Sequence, residues 1–74
     1  MARINIKSEV AGTVWKVQLA AGAEVGPDES ILIVESMKME IPVESPKAGR
    51  VVEVLVKEGD VVAEGEVLVI FDIQ

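Results

Sequence analysis

Of the lysines in this 74-residue chain, Lys38 is set apart by its company: Glu35-Ser36-Met37-Lys38-Met39-Glu40. A lysine offers two kinds of chemistry: catalysis by its free amine, or covalent attachment of an acyl group as an amide. Catalysis needs the amine deprotonated, yet a solvated lysine titrates at about 10.4 and is under ~0.1% free amine at pH 7. Desolvation or crowding cations release the amine, whereas the nearest charged neighbours here are acids, Glu35 and Glu40. Attachment is the better fit, with an acyl group activated elsewhere and passed to Lys38. The chain has no cysteine and no histidine. That excludes disulfides, thiolate or imidazole metal sites and Ser/Cys–His nucleophiles, so no catalytic residue and no metal site is expected.

The flanking residues say how Lys38 is held. Ile31-Leu32-Ile33-Val34 precedes it and Ile41-Pro42-Val43 follows. A short polar break between two β-type runs reads as a hairpin, which puts Lys38 at or beside the tip, in water. Apolar and polar residues alternate at Ile4/Ile6, Trp15/Val17/Leu19, Ile41/Val43 and Val52/Val54. Period two gives strands with one face on a core, and it assigns Trp15 to that core. Ile31–Val34 and Val67–Phe71 are continuous apolar runs, expected to be covered on both faces. Gly- and Pro-containing breaks at 21–22, 26–29, 45–49, 58–60 and 64–65 supply the turns. Pro42, lacking an N–H, fits an edge strand or a bulge. No stretch of useful length has a helical period, so the chain is all-β.

The chain also repeats itself. An offset of 37 (49 − 12 = 37) relates Gly12 to Gly49, Gly22 to Gly59, Ser8 to Ser45, Val14 to Val51 and Ile33 to Ile70 without a gap. Residues 1–37 and 38–74 are therefore two copies of one unit within a single domain. Short connections between like units imply a closed or nearly closed sandwich of two small antiparallel sheets, which also protects strand edges. A pseudo-two-fold axis makes Met1 the counterpart of Lys38 and sets the hairpin tip at the end opposite the chain termini.

Composition bounds the class. Half of the residues are hydrophobic, only Trp15 and Phe71 are aromatic, and the net charge is −6 with acids in both halves. A chain this short buries only ~60% of its unfolded surface, so the aliphatic core must be well packed. The acidic surface disfavours a nucleic-acid backbone. No run has signal-peptide or membrane-span character. A cytoplasmic monomer that neither binds nucleic acid nor enters a membrane is expected.

Glu35-Ser36-Met37-Lys38-Met39 is similar to the Glu-Ala-Met-Lys-Met signature of biotin carboxyl carrier domains, and with the paired glycines the resemblance spans nearly the whole chain. At this length it resembles the free-standing biotin/lipoyl attachment proteins of bacteria. The resemblance implies a flattened barrel of about eight strands, the biotinyl/lipoyl hammerhead or barrel-sandwich hybrid. It further implies that a biotin protein ligase, working through an acyl-adenylate, joins biotin to Lys38. The arm would then carry carboxyl groups between biotin carboxylase and carboxyltransferase sites, the protein itself being no enzyme. Met37 and Met39, unusual in a turn, are read as adaptable contacts for ligase and carboxylase rather than as filler of the barrel end. Glu35, Ser36 and Glu40 join them as recognition candidates, although the two glutamates also suit plain solvated turn charges. Ser36 stands where the family has alanine. Lipoyl domains of similar fold usually carry Asp before and Ala after the lysine, so Met on both sides favours biotin. Lipoate, or dual attachment, remains the alternative, as does an unmodified structural module. The first half lacks the extra loop of many acetyl-CoA carboxylase carriers, and no Pro/Ala-rich linker is visible. A free-standing carrier for a propionyl-, pyruvate- or urea-type carboxylase, or for another acyl-CoA carboxylase, fits as well.

Overall fold

The structure, a computed structural model, describes residues 2–74. Eight strands and, among the described residues, no helix make up the chain: β1 Ala2–Lys7, β2 Gly12–Val17, β3 Glu24–Val25, β4 Ser30–Ser36, β5 Met39–Glu44, β6 Gly49–Val54, β7 Val61–Val62 and β8 Val67–Ile73. They form two four-stranded sheets with antiparallel pairing throughout, in the orders β1-β8-β6-β3 and β5-β4-β2-β7. Adding 37 to the residue numbers turns β1, β2, β3 and β4 into β5, β6, β7 and β8, so the operation that exchanges the halves also exchanges the sheets. Hydrogen bonds repeat with the same offset. Gly22 N–H donates to Val51 C=O at 2.7 Å and Gly59 N–H to Val14 C=O at 2.8 Å; Ser8 N–H donates to Glu66 C=O at 2.9 Å and Ser45 N–H to Glu29 C=O at 2.8 Å. Gly22 and Gly59 sit at φ 93° and 95°, where a side chain is costly.

The core follows the repeat. Val14/Val51, Val25/Val62, Ile31/Leu68, Leu32/Val69 and Val34/Phe71 are all buried, each pair related by the offset. Full burial of one such aliphatic side chain contributes about 1.5–3 kcal/mol, so symmetric pairs supply nearly all of this small interior. Ile4, Val17, Leu19, Val43, Val54 and Val56 pack against its margin, as their alternation requires.

Two expectations need correction, both because of β-bulges. Trp15 is not core: it is 47% exposed. Val14 pairs with Val34 and Lys16 with Ile33, so Trp15 is an extra residue in β2 and Val14 takes the inward place. A strict period of two cannot anticipate an inserted residue. Val52 interrupts β6 at the equivalent point. The apolar runs of β4 and β8 are likewise not covered on both faces throughout, since Ile33 and Ile70 are half-exposed. Bulges at Ile31 and Leu68 turn consecutive residues inward, which is why Ile31-Leu32 and Leu68-Val69 are all fully buried. Pro42 lies in β5, the edge strand of its sheet, where no ladder N–H is lost on the outer side.

The strand pairing sets the hairpin and the chain ends at opposite poles of a 35 × 17 × 17 Å body. β1 starts beside Ile73 and runs alongside β8 to Val67. The chain then continues over Ser8–Ala11 to reach Ser36, whose Oγ donates to Ala11 C=O at 2.8 Å. Met1, the sequence counterpart of Lys38, lies outside the described residues.

Candidate functional site

The β4–β5 hairpin closes with the pair Ser36↔Met39, leaving Met37 and Lys38 as a two-residue turn. Both adopt positive φ, 52° and 66°. This is the type I′ geometry that matches the twist of two antiparallel strands, and it is normally built from Asn and Gly. Holding two residues with β-carbons there costs about 1–2 kcal/mol each. The turn therefore carries its lysine at a local energetic disadvantage. Met37 is 92% exposed and Met39 65%, so neither fills the barrel end. Lys38 is exposed, and among the described residues it makes no ion pair.

The hairpin base is braced on one side. Gly12 passes so close beneath β4 that a β-carbon there would collide with the Glu35 carbonyl oxygen and come within 3.0 Å of Val34 Cγ1. The Ser36 hydroxyl ties the same strand to Ala11. Glu35 and Glu40 stand directly opposite each other one pair below the turn, both exposed. The structure thus gathers Glu35, Ser36, Met37, Lys38, Met39 and Glu40 at one pole. The offset pairs Gly12 with Gly49 in the sequence, but it does not say that Gly12 supports the hairpin; that role depends on which strands lie side by side.

Two depressions of the surface lie away from Lys38, one about Ile6, Ser8 and Val34, the other about Val17, Leu19 and Val54, and no residue of 35–40 lines either. No cluster of metal-ligating side chains occurs among the described residues. The remaining lysines, Lys7 and Lys16 on strands and Lys47 and Lys57 in loops, are exposed without a comparable turn. A projecting, unpaired amine on a rigid body suits covalent attachment of an acyl arm, which needs access to the nitrogen and no enclosing walls.

Comparison with known proteins agrees with this geometry. The model of the biotin/lipoyl family, described as "Biotin-requiring enzyme", matches residues 2–71. The chain is 45% identical over 65 residues to the "Biotin/lipoyl attachment protein" of Bacillus subtilis (strain 168), covering 88% of this chain and 89% of that one. It is 35% identical over 66 residues to the "Biotinylated protein TB7.3 homolog" of Mycobacterium leprae (strain TN), covering 89% and 93%. Among solved structures, the Kluyveromyces lactis urea carboxylase superposes with a TM-score of 0.91 at 32% identity, over 97% of this chain but only 6% of the carboxylase. The lipoyl domain of the 2-oxoglutarate dehydrogenase complex from Azotobacter vinelandii superposes with a TM-score of 0.80 at 31% identity, covering 93% and 95%. The chain belongs to the biotin/lipoyl family of small carrier domains, whose members occur both alone and inside carboxylases.

Proposed function

We propose that residues 1–74 form a single biotin-carrying domain and that Lys38 is its one attachment point. The observation that carries this reading is Lys38 itself, the lysine on a projecting two-residue turn between two exposed methionines. A biotin protein ligase would supply the activated acyl group. Nζ of Lys38 gives up one proton to become the free amine, attacks the acyl carbon, and loses a second proton as the activating group leaves with the bonding electron pair, which forms the amide. Bound biotin supplies a ureido nitrogen able to carry a carboxyl group. The chain's own residues hold the lysine clear of the body, keep the turn in one conformation and give the arm a soluble, rigid base. The finished arm would reach on the order of 10 Å beyond the lysine, so that its end enters a biotin carboxylase or a carboxyltransferase site while the barrel stays outside. Relatives that include a pyruvate carboxylase and a urea carboxylase support a carboxylase as partner. We assign the protein to the cytoplasm as a monomer outside its complexes.

Lipoate is the second reading, favoured by the close superposition on a lipoyl domain. The exposed methionines on both sides of Lys38 tip the balance to biotin.

Intact-mass spectrometry of protein produced with a biotin ligase tests the assignment. Wild type should gain one biotin and Lys38→Arg none, while the unfolding free energy of Lys38→Arg changes by less than ~0.5 kcal/mol because the side chain is exposed. Biotin on another lysine would overturn the assignment, and a lipoyl mass from cells containing both ligases would establish the second reading.

A further inference from the structure

The two poles of the molecule are built on equivalent backbone, so the outer surface of one can be compared residue by residue with that of the other. At the terminal pole, one row across the first sheet reads Glu24↔Arg50↔Asp72↔Arg3. Its charges alternate and satisfy one another. Arg3 Nε lies 3.1 Å from Asp72 Oδ1 and Arg50 Nη2 lies 3.8 Å from Glu24 Oε2. Asp72 holds the Arg3 guanidinium above its ordinary value, by its hydrogen bond first and its charge second.

At the lysine pole, the equivalent row across the second sheet reads Val61↔Thr13↔Glu35↔Glu40. The offset of 37 relates the rows position by position: 24 to 61, 13 to 50, 35 to 72 and 3 to 40. Both arginines are gone. Two like charges stand directly opposite each other, an arrangement that destabilises a strand pair, and among the described residues neither makes an ion pair. Where the terminal pole has a glutamate, this pole has Val61, 80% exposed. One step along the sheet Trp15, 47% exposed, replaces the half-buried Val52. The same backbone that closes its own charges at one pole leaves acids and apolar side chains open at the other.

We propose that this face, Val61, Thr13, Glu35 and Glu40 with Trp15 beside it, is the docking surface of the ligase that acylates Lys38, and that the ligase meets it with Lys or Arg side chains around an apolar recess. The proposal rests on Lys38 being the attachment point. Two unpaired acids call for cations, and an exposed tryptophan is among the side chains that most often anchor interfaces, with the exposed Val61 adding apolar area beside it. The ligase is the occupant rather than an enzyme served later, because of reach. A lysine side chain extends only about 6 Å from its Cα. An enzyme reacting with its nitrogen must therefore come against the adjoining sheet. An enzyme using the finished arm acts on the order of 10 Å farther out.

Copying the terminal row onto the lysine pole tests this. Thr13→Arg with Val61→Glu recreates the Glu–Arg–acid sequence on backbone that already tolerates it at 24 and 50. It leaves Lys38 and its turn untouched and the net charge unchanged at −6. Ligation of the apo-protein by a purified bacterial biotin ligase with biotin and ATP should show KM for the protein raised ~10-fold or more and kcat within ~2-fold, the signature of lost docking. The thermal midpoint should hold or rise. Trp15→Val, which copies Val52, should raise KM in the same direction. The converse pair at the terminal pole, Glu24→Val with Arg50→Thr, should leave KM within ~2-fold. An unchanged KM in Thr13→Arg/Val61→Glu and in Trp15→Val, or an equal rise in the terminal-pole pair, overturns the docking surface. A wild-type protein that accepts no biotin instead overturns the attachment reading beneath it.

Discussion

Lys38 is presented by backbone that a designer of stable hairpins would not choose. Met37 and Lys38 occupy the left-handed positions of a type I′ turn at φ 52° and 66°, where Asn and Gly are the easy residues. Replacing Met37 by Asn, which tolerates that conformation, should stabilise the fold by about 0.5–1 kcal/mol. Thermal unfolding would read this as a rise of several degrees, since 1 kcal/mol moves a domain of this size by about 4–8 °C. The same variant should be biotinylated more slowly if Met37 touches the ligase. A lower midpoint would mean that Met37 contributes packing that its 92% exposure denies. The lysine and its setting were legible in the sequence because Met-Lys-Met breaks the usual chemistry of turns. The backbone strain was not, because nothing in two residue names fixes the sign of φ.

At the scale of strands and turns, the repeat was readable and its irregularities were not. The offset of 37 predicts paired glycines at equivalent positions, and Gly22 and Gly59 meet it within 2° of φ (95 − 93 = 2). The alternation of Trp15, Val17 and Leu19 points Trp15 inward, whereas the bulge at that residue turns it out. Bulges are settled by how two strands pair, information that a single stretch of sequence does not hold. Asp28 is instructive in the same way. It sits at φ 62°, at the position that Gly65 occupies in the other half at φ 85°, so the same turn is made by two different residues. The buried Ser45 closes the turn at Asp28 with its side chain, whereas the buried Ser8 uses its hydroxyl within its own loop. Ser45 Oγ donates to Gly26 C=O at 2.6 Å and accepts from Glu29 N–H at 3.2 Å, while Ser8 Oγ donates to Val10 C=O at 2.6 Å. Ser45→Ala strands a donor and an acceptor in the interior and should cost about 1–3 kcal/mol in urea unfolding. Ser8→Ala should cost less, and the reverse order would show that the Glu29 bond contributes nothing.

For the molecule as a whole, the halves are copies but not modules. Each sheet takes two strands from residues 1–37 and two from residues 38–74, so neither half possesses a complete sheet. Peptides 1–37 and 38–74 should each lack regular structure by far-ultraviolet circular dichroism, with a β spectrum appearing only when they are mixed. A folded spectrum from either alone would mean that half the core suffices. The fold class and the two-fold relation follow from the sequence because periodicity and repetition are global signals. The difference between the poles was written there too, in Val61 against Glu24 and Thr13 against Arg50. It became visible only once the strand register aligned those residues across the sheets.

The placement of the chain ends has a mechanical side. Ala2 and Ile73 are neighbours at one pole, on strands that run antiparallel from there. A tension applied between the ends therefore bears on a single residue pair at a time, parting β1 from β8 as a zip opens rather than shearing the whole ladder at once. The barrel should yield to stretching at low force. Rupture would start at the pole farthest from the lysine, which keeps its hairpin until the strain has travelled the length of the molecule.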